Sequence, residues 1–171
     1  TRAMALNEGA DALEVAVALR PMAASDLPFL LRVYASTRVE ELAGVPWTAE
    51  QKAAFITQQF EAQHAHYQQH YARGSFNVVL LAGEPVGRLY LCAFGDEIRI
   101  VDIALLPEFR HVGVGSVLLH RVLADATEKG LAVRIHVERN NPALAWYEAN
   151  GFRLVEDRGV YLFMEHPAPV R

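Results

Sequence analysis

The sequence predicts a single α/β domain built on a mixed sheet, and three observations predict it. Apolar runs of strand length and period alternate with longer stretches of helical period, so strands and helices share one core. The length of 171 residues suits one full core, and a composition 52% hydrophobic and 21% charged belongs to a folded chain. No internal repeat, low-complexity tract or linker divides the pattern, which reads as about seven strands and about four helices. Residues 1–13 show no clear periodicity and are expected to be a loose N-terminus or a remnant of expression. The domain is expected over 14–167, with a short tail at 168–171.

Val15–Leu19 is a short apolar run ending at Arg20-Pro21 and reads as the first strand. Ser25 or Asp26 can cap a helix from Leu27 towards Glu41, with Pro28 tolerated in its first turn and Gly44 with Pro46 stopping it. Thr48-Ala-Glu-Gln51 has capping-box spacing and opens a long helix to about Tyr71. Phe76–Leu81 and Pro85–Cys92 read as a hairpin around Ala82-Gly83-Glu84, and Glu97–Leu105 as the next strand. After Gly113 a helix carries Val114, Leu118, Val122 and Ala126 at four-residue steps and ends at Lys129-Gly130. A strand at Val133–Val137 and a short helix from Asn140-Asn141-Pro142 to Asn150-Gly151 follow. Phe152–Glu156 and Val160–Met164 close the chain as a hairpin.

Composition excludes some classes. A formal net charge of −4 argues against a nucleic-acid footprint. No apolar run reaches the roughly 20 residues that span a bilayer, and the first residues lack a signal pattern. The single cysteine, Cys92, has no internal partner, which fits a reducing cytoplasm.

Ile103–Ser116 carries the strongest chemical signal. An apolar strand runs into Pro107, and a turn with Arg110, Gly113 and Gly115 leads into a long helix. Backbone N–H groups free of side chains, at the positive end of a helix, suit a diphosphate. A third small residue is missing where Leu118 stands, against a dinucleotide fingerprint, and Ser116-Val117 replaces the Lys-Ser/Thr of a P-loop. The strand before the turn slips phase: Ile98 and Ile100 share a face, yet the apolar positions resume at Ile103 and Leu105. A β-bulge near Val101-Asp102 would absorb the extra residue, and a strand buried on both faces would also permit it.

Two motifs together resemble the GNAT superfamily of acyl-CoA-dependent N-acyltransferases. The first is Leu105-Leu-Pro107 followed by Arg110-His-Val-Gly113-Val-Gly115. The second is Val137 to Ala143, Tyr147 and Gly151-Phe152. The resemblance implies a mostly antiparallel sheet, splayed between the strand before the phosphate turn and the next one. It implies pantetheine along Ile103, Ala104 and Leu105, and the pyrophosphate of acetyl-CoA on the turn of Arg110, His111, Val112, Gly113, Val114, Gly115 and Ser116. Asn141, Ala143 and Tyr147 would line the thioester end, with Tyr147 as general acid to the leaving thiolate. The base does not carry over from the family. Asp102 at the bulge is preferred, with His136 as its rival.

The family's first two helices cover the acceptor, which makes Glu41, Gln63 and Tyr67 the expected contacts of a small-molecule or peptide amine. His66 and His70 are four apart, but no third ligand is evident and no metal is expected. The expected activity is acetyl transfer from acetyl-CoA to a primary amine. A non-catalytic acyl-CoA-binding or sensing module on the same fold is the alternative. No nucleic acid or membrane partner is expected, and the chain is read as a monomer or homodimer.

Overall fold

The structure, a computed structural model, describes residues 2–170; Thr1 and Arg171, at the ends of the expected terminus and tail, lie outside the described residues. A seven-stranded sheet runs in the order β1-β2-β3-β4-β5-β7-β6. Its strands are β1 (Val17–Pro21), β2 (Ser75–Leu81), β3 (Glu84–Phe94), β4 (Glu97–Leu105), β5 (Ala132–Glu138), β6 (Arg153–Arg158) and β7 (Tyr161–His166). Every pairing is antiparallel except β4 with β5, which is parallel.

Six α-helices accompany the sheet among the described residues: α1 (Arg2–Ala16), α2 (Leu27–Ser36), α3 (Val39–Ala43), α4 (Ala49–His70), α5 (Val114–Lys129) and α6 (Leu144–Ala149). Two more appear than the periodicity suggested. α1 occupies the stretch expected to be loose, because Ala, Met, Leu and Glu favour helix even where no apolar stripe marks the segment. It also pushes the start of β1 from Val15 to Val17. α3 is separate because α2 stops at Ser36. There the Ser36 and Thr37 hydroxyls donate to the Val33 and Tyr34 carbonyls at 2.7 and 2.6 Å, drawing them out of the helical ladder. Asp26 does not cap α2; it binds Arg20 at 2.8 and 2.9 Å and accepts from the Ala23 N–H.

Other boundaries follow the chemistry read from the chain. Thr48 and Gln51 exchange side-chain bonds to each other's N–H at the start of α4. Ala82 and Gly83 both have positive φ, as a two-residue hairpin turn requires. The main core lies between the sheet and α5 and α6, around Val86, Leu89, Ile100, Leu118, Val133 and Tyr147. A smaller core of Leu30, Tyr34, Phe60 and Val78 packs α2 and α4 on the opposite face. Cys92 is a buried free thiol.

Candidate active site

The bulge stands in β4. Tyr90 pairs with Asp102 and Leu91 with Ile100, which leaves Val101 as the extra residue. Pairing of β4 with β5 covers Glu97–Ile100 against Ala132–Ile135 and then ends, so the two strands part at the bulge. The Leu106 N–H donates to the Val86 carbonyl, towards β3. Strand alternation then turns the backbone groups of Ile103 and Leu105 towards the gap. The Leu105 carbonyl accepts from Arg110 Nε at 3.0 Å, and the same guanidinium reaches Ser36 Oγ at 3.2 Å. Arg110 thus braces the strand end against α2 rather than projecting freely over the turn.

The turn itself is built from backbone. A 3₁₀ turn at Pro107–Phe109 leads to His111 and Gly113, both left-handed with φ of 62° and 98°. The first helical bond of α5 runs from Val117 N–H to the Gly113 carbonyl. The amides of Val114, Gly115 and Ser116 therefore have no acceptor within the helix. His111 and Val112 are exposed, so the concave backbone faces solvent. A Cβ on Gly115 would meet Trp146 and Leu105 only at ordinary contact distances of 3.8 and 3.9 Å.

Tyr147 is set by α6. Asn141 Oδ1 accepts the Ala143 N–H at 2.8 Å, an Asx turn that starts the helix, and the Tyr147 carbonyl accepts the Phe152 N–H at 3.1 Å. The Asn141 side chain is thereby committed to the turn. Tyr147 is 4% exposed, and burial, with the charge of Asp102 second, pushes its hydroxyl well above the ordinary phenol range. The phenol stays protonated at neutral pH. No side chain among the described residues hydrogen-bonds its hydroxyl.

Two of the residues expected near the acceptor, Gln63 and Tyr67, meet Asp102 around a charge that the sequence reading missed. Arg88, 2% exposed on β3, donates from one terminal nitrogen to Asp102 Oδ2 at 2.7 Å and to Gln63 Oε1 at 2.9 Å. Tyr67 donates to the same Asp102 oxygen at 3.2 Å. Burial, then the Asp102 charge, raises the Tyr67 hydroxyl far above the phenol range. The bulge therefore turns Asp102 towards α4, where Oδ2 is fully engaged and Oδ1 has no partner among the described residues. An arginine inside the apolar run Val86-Gly-Arg-Leu-Tyr was the one available signal.

Glu41 sits at the rim. Arg38 binds Glu41 at 3.0 Å and Glu138, at the end of β5, at 3.4 Å, so α2–α3 touches both strands flanking the gap. A cavity of about 110 Å³ opens there between Tyr34, Arg38, Glu41, Leu42 and Phe55. A larger groove of about 610 Å³, between Met22, Leu27, His64, Gln68 and Phe76, includes none of the site residues. His136 does not enter the gap as a free base. Its Nε2 is 2.7 Å from Arg158, and burial, followed by the Arg99 and Arg158 charges, pushes its pKa below the usual value. His66 and His70 stack at 3.9 Å, and no group of three metal-ligating side chains converges among the described residues. Nor is any described helix long and apolar enough to cross a membrane.

Comparison with known proteins agrees with this architecture. The model of the acetyltransferase (GNAT) family matches residues 37–152. A curated relative, the [ribosomal protein bS18]-alanine N-acetyltransferase of Haemophilus influenzae, is 34% identical over 67 residues. That match covers 39% of this chain and 46% of the relative, so the chain spans under half the length of that protein. Among solved structures, the PaiA N-acetyltransferase of Thermoplasma acidophilum in complex with coenzyme A superposes with a TM-score of 0.68 at 21% identity, over 88% of this chain and 98% of that one. The ribosomal-protein-S18-alanine N-acetyltransferase of Escherichia coli gives 0.58 at 18% identity, over 91% and 96%. The chain belongs to the GNAT acetyltransferase family.

Proposed function

We propose that this GNAT family member transfers an acetyl group from acetyl-CoA to a primary amine by direct attack within a ternary complex. The observation that carries the reading is the parting of β4 from β5, bordered by the open amides of the turn and by the protonated, unpartnered Tyr147. The residues fit the donor. The edge groups of Ile103 and the Leu105 N–H suit the amides of pantetheine, and the left-handed turn with α5 behind it suits a diphosphate. Solved relatives are described with coenzyme A or acetyl-CoA bound, which supports the same assignment.

In this reading the neutral amine attacks the thioester carbonyl, a C–N bond forms and the C–S bond breaks. Tyr147 gives its proton to the departing sulfur. Asp102 Oδ1 takes the proton the amine sheds, while Arg88 and Tyr67 hold Oδ2 still. Glu41, Gln63, Tyr67 and Glu138 surround the acceptor's approach, and a small-molecule or peptide amine fits this polar rim. A buried unpaired thiol, Cys92, suits work in a reducing cytoplasm.

The test is a panel of peptides, polyamines and aminoglycosides incubated with acetyl-CoA, with released thiol measured. Thiol release that requires both an amine and Tyr147 is expected. Acetyl-CoA binding without release across the panel would instead identify a non-catalytic acyl-CoA-binding module.

A further inference from the structure

Leu13 and Arg121 have no part in the site so far, yet Leu13 reaches the turn at Gly113 while Arg121 ties the end of α1 to α5. Midway along α5, Arg121 donates to Glu14 Oε1 at 2.8 Å, to the Val17 carbonyl at 2.9 Å and to the Glu14 carbonyl. One guanidinium thus takes up a carbonyl that α1 leaves open at its C-terminal end and fixes where that end lies. Leu13, half-buried against the main core, lies 2.8 Å from where a Cβ on Gly113 would stand. At that point the turn holds His111 and Gly113 left-handed, at φ of 62° and 98°. A side-chain-bearing residue such as His111 keeps this conformation only where its surroundings impose it. α1 lies outside residues 37–152, the stretch that matches the family model.

We infer that α1 is part of the donor site: Leu13, anchored through Arg121, is a positioning residue that holds the His111–Gly113 turn in the shape that takes a diphosphate. This rests on the reading that the turn's amides bind the diphosphate of acetyl-CoA. The two can fail separately, because S-acetylpantetheine is a donor without the diphosphate. Calorimetric titration of the full chain with each donor gives the test. Leu13→Ala is expected to weaken acetyl-CoA about five- to tenfold, the lower range of couplings between sites, and to leave S-acetylpantetheine unchanged. Equal losses for both donors, or no loss, would overturn the inference. If the unaltered protein binds both donors equally, the diphosphate reading itself is wrong. Should Leu13→Ala not fold, Leu13→Val and Arg121→Gln must show the same donor-selective loss, and a uniform loss from them overturns the inference equally.

Discussion

In the site as proposed, the donor and acceptor halves are built from different materials. The donor half is backbone: a strand edge released by one extra residue, two left-handed positions and the first amides of α5. The acceptor half is side chains reaching from five elements, α3, α4, β3, β4 and β5, with Arg88 and Asp102 at its centre and Arg38 spanning its mouth. Backbone recognition suits a constant partner, whereas long side chains can be exchanged without disturbing the sheet. A family that keeps one donor and varies its acceptors would divide its site in this way.

That division also explains what the sequence disclosed. The bulge was legible because one extra residue shifts the apolar phase between Ile100 and Ile103. The turn was legible because Gly113 stands at φ 98°, where a side chain is strained, and because the Asn141–Tyr147 motif is local in the sequence. Arg88 and Asp102 are 14 residues apart and meet only through the register of β3 with β4, so no local pattern announces the pair. Arg38 and Glu138 are 100 residues apart. α1 escaped notice because helix-forming composition without a stripe carries no periodic signal.

The largest effect should come from the one side chain on which the chemistry of the donor half depends. Tyr147→Phe removes a hydroxyl without a protein partner, so the fold should not notice. Turnover should fall about 10²–10⁴-fold, the usual loss for a positioned general acid. Unchanged Tm and acetyl-CoA affinity alongside that loss would place the residue in chemistry. Full turnover would remove it from the mechanism.

The backbone character of the donor turn can be broken directly at its two glycines. Gly113→Val puts a β-branched residue at φ 98° with its Cβ against Leu13, and acetyl-CoA affinity should drop about ten- to a hundredfold. Gly115→Ala meets only ordinary contacts and should bind within about twofold of the parent. Equal behaviour of the two variants in a binding titration would mean that conformation is not what the turn supplies.

In the acceptor half, removing a charge should cost stability and spare the donor. Arg88→Met leaves Asp102 half-buried with only Tyr67 beside it, and unfolding should become easier by about 3 kcal/mol, roughly 6–12 °C in Tm. Adding Asp102→Asn to Arg88→Met should recover part of that loss, because the uncompensated charge goes with it. Acetyl-CoA affinity should be unchanged throughout. A loss of affinity matching the loss of stability would show that the two halves are not separate.

The smallest effect concerns the entry to α2, whose Tyr34 lines the cavity beside Glu41. Asp26 accepts two bonds from Arg20 and one from the Ala23 N–H, and these hold its carboxyl at about 2, down from 3.8, with the Arg20 bond the larger cause. A lowered folded value means that the ionised form is favoured by folding. The resulting stabilisation is complete above the unfolded value and disappears as pH falls through the folded one. Asp26→Asn should therefore melt lower than the parent by a constant gap from about pH 8 to pH 5, and the gap should narrow below about pH 4 and close near pH 2. A gap that persists undiminished at pH 2 would mean that the asparagine loses packing or geometry rather than charge. The entry to α2 would then depend on shape, as the donor turn does.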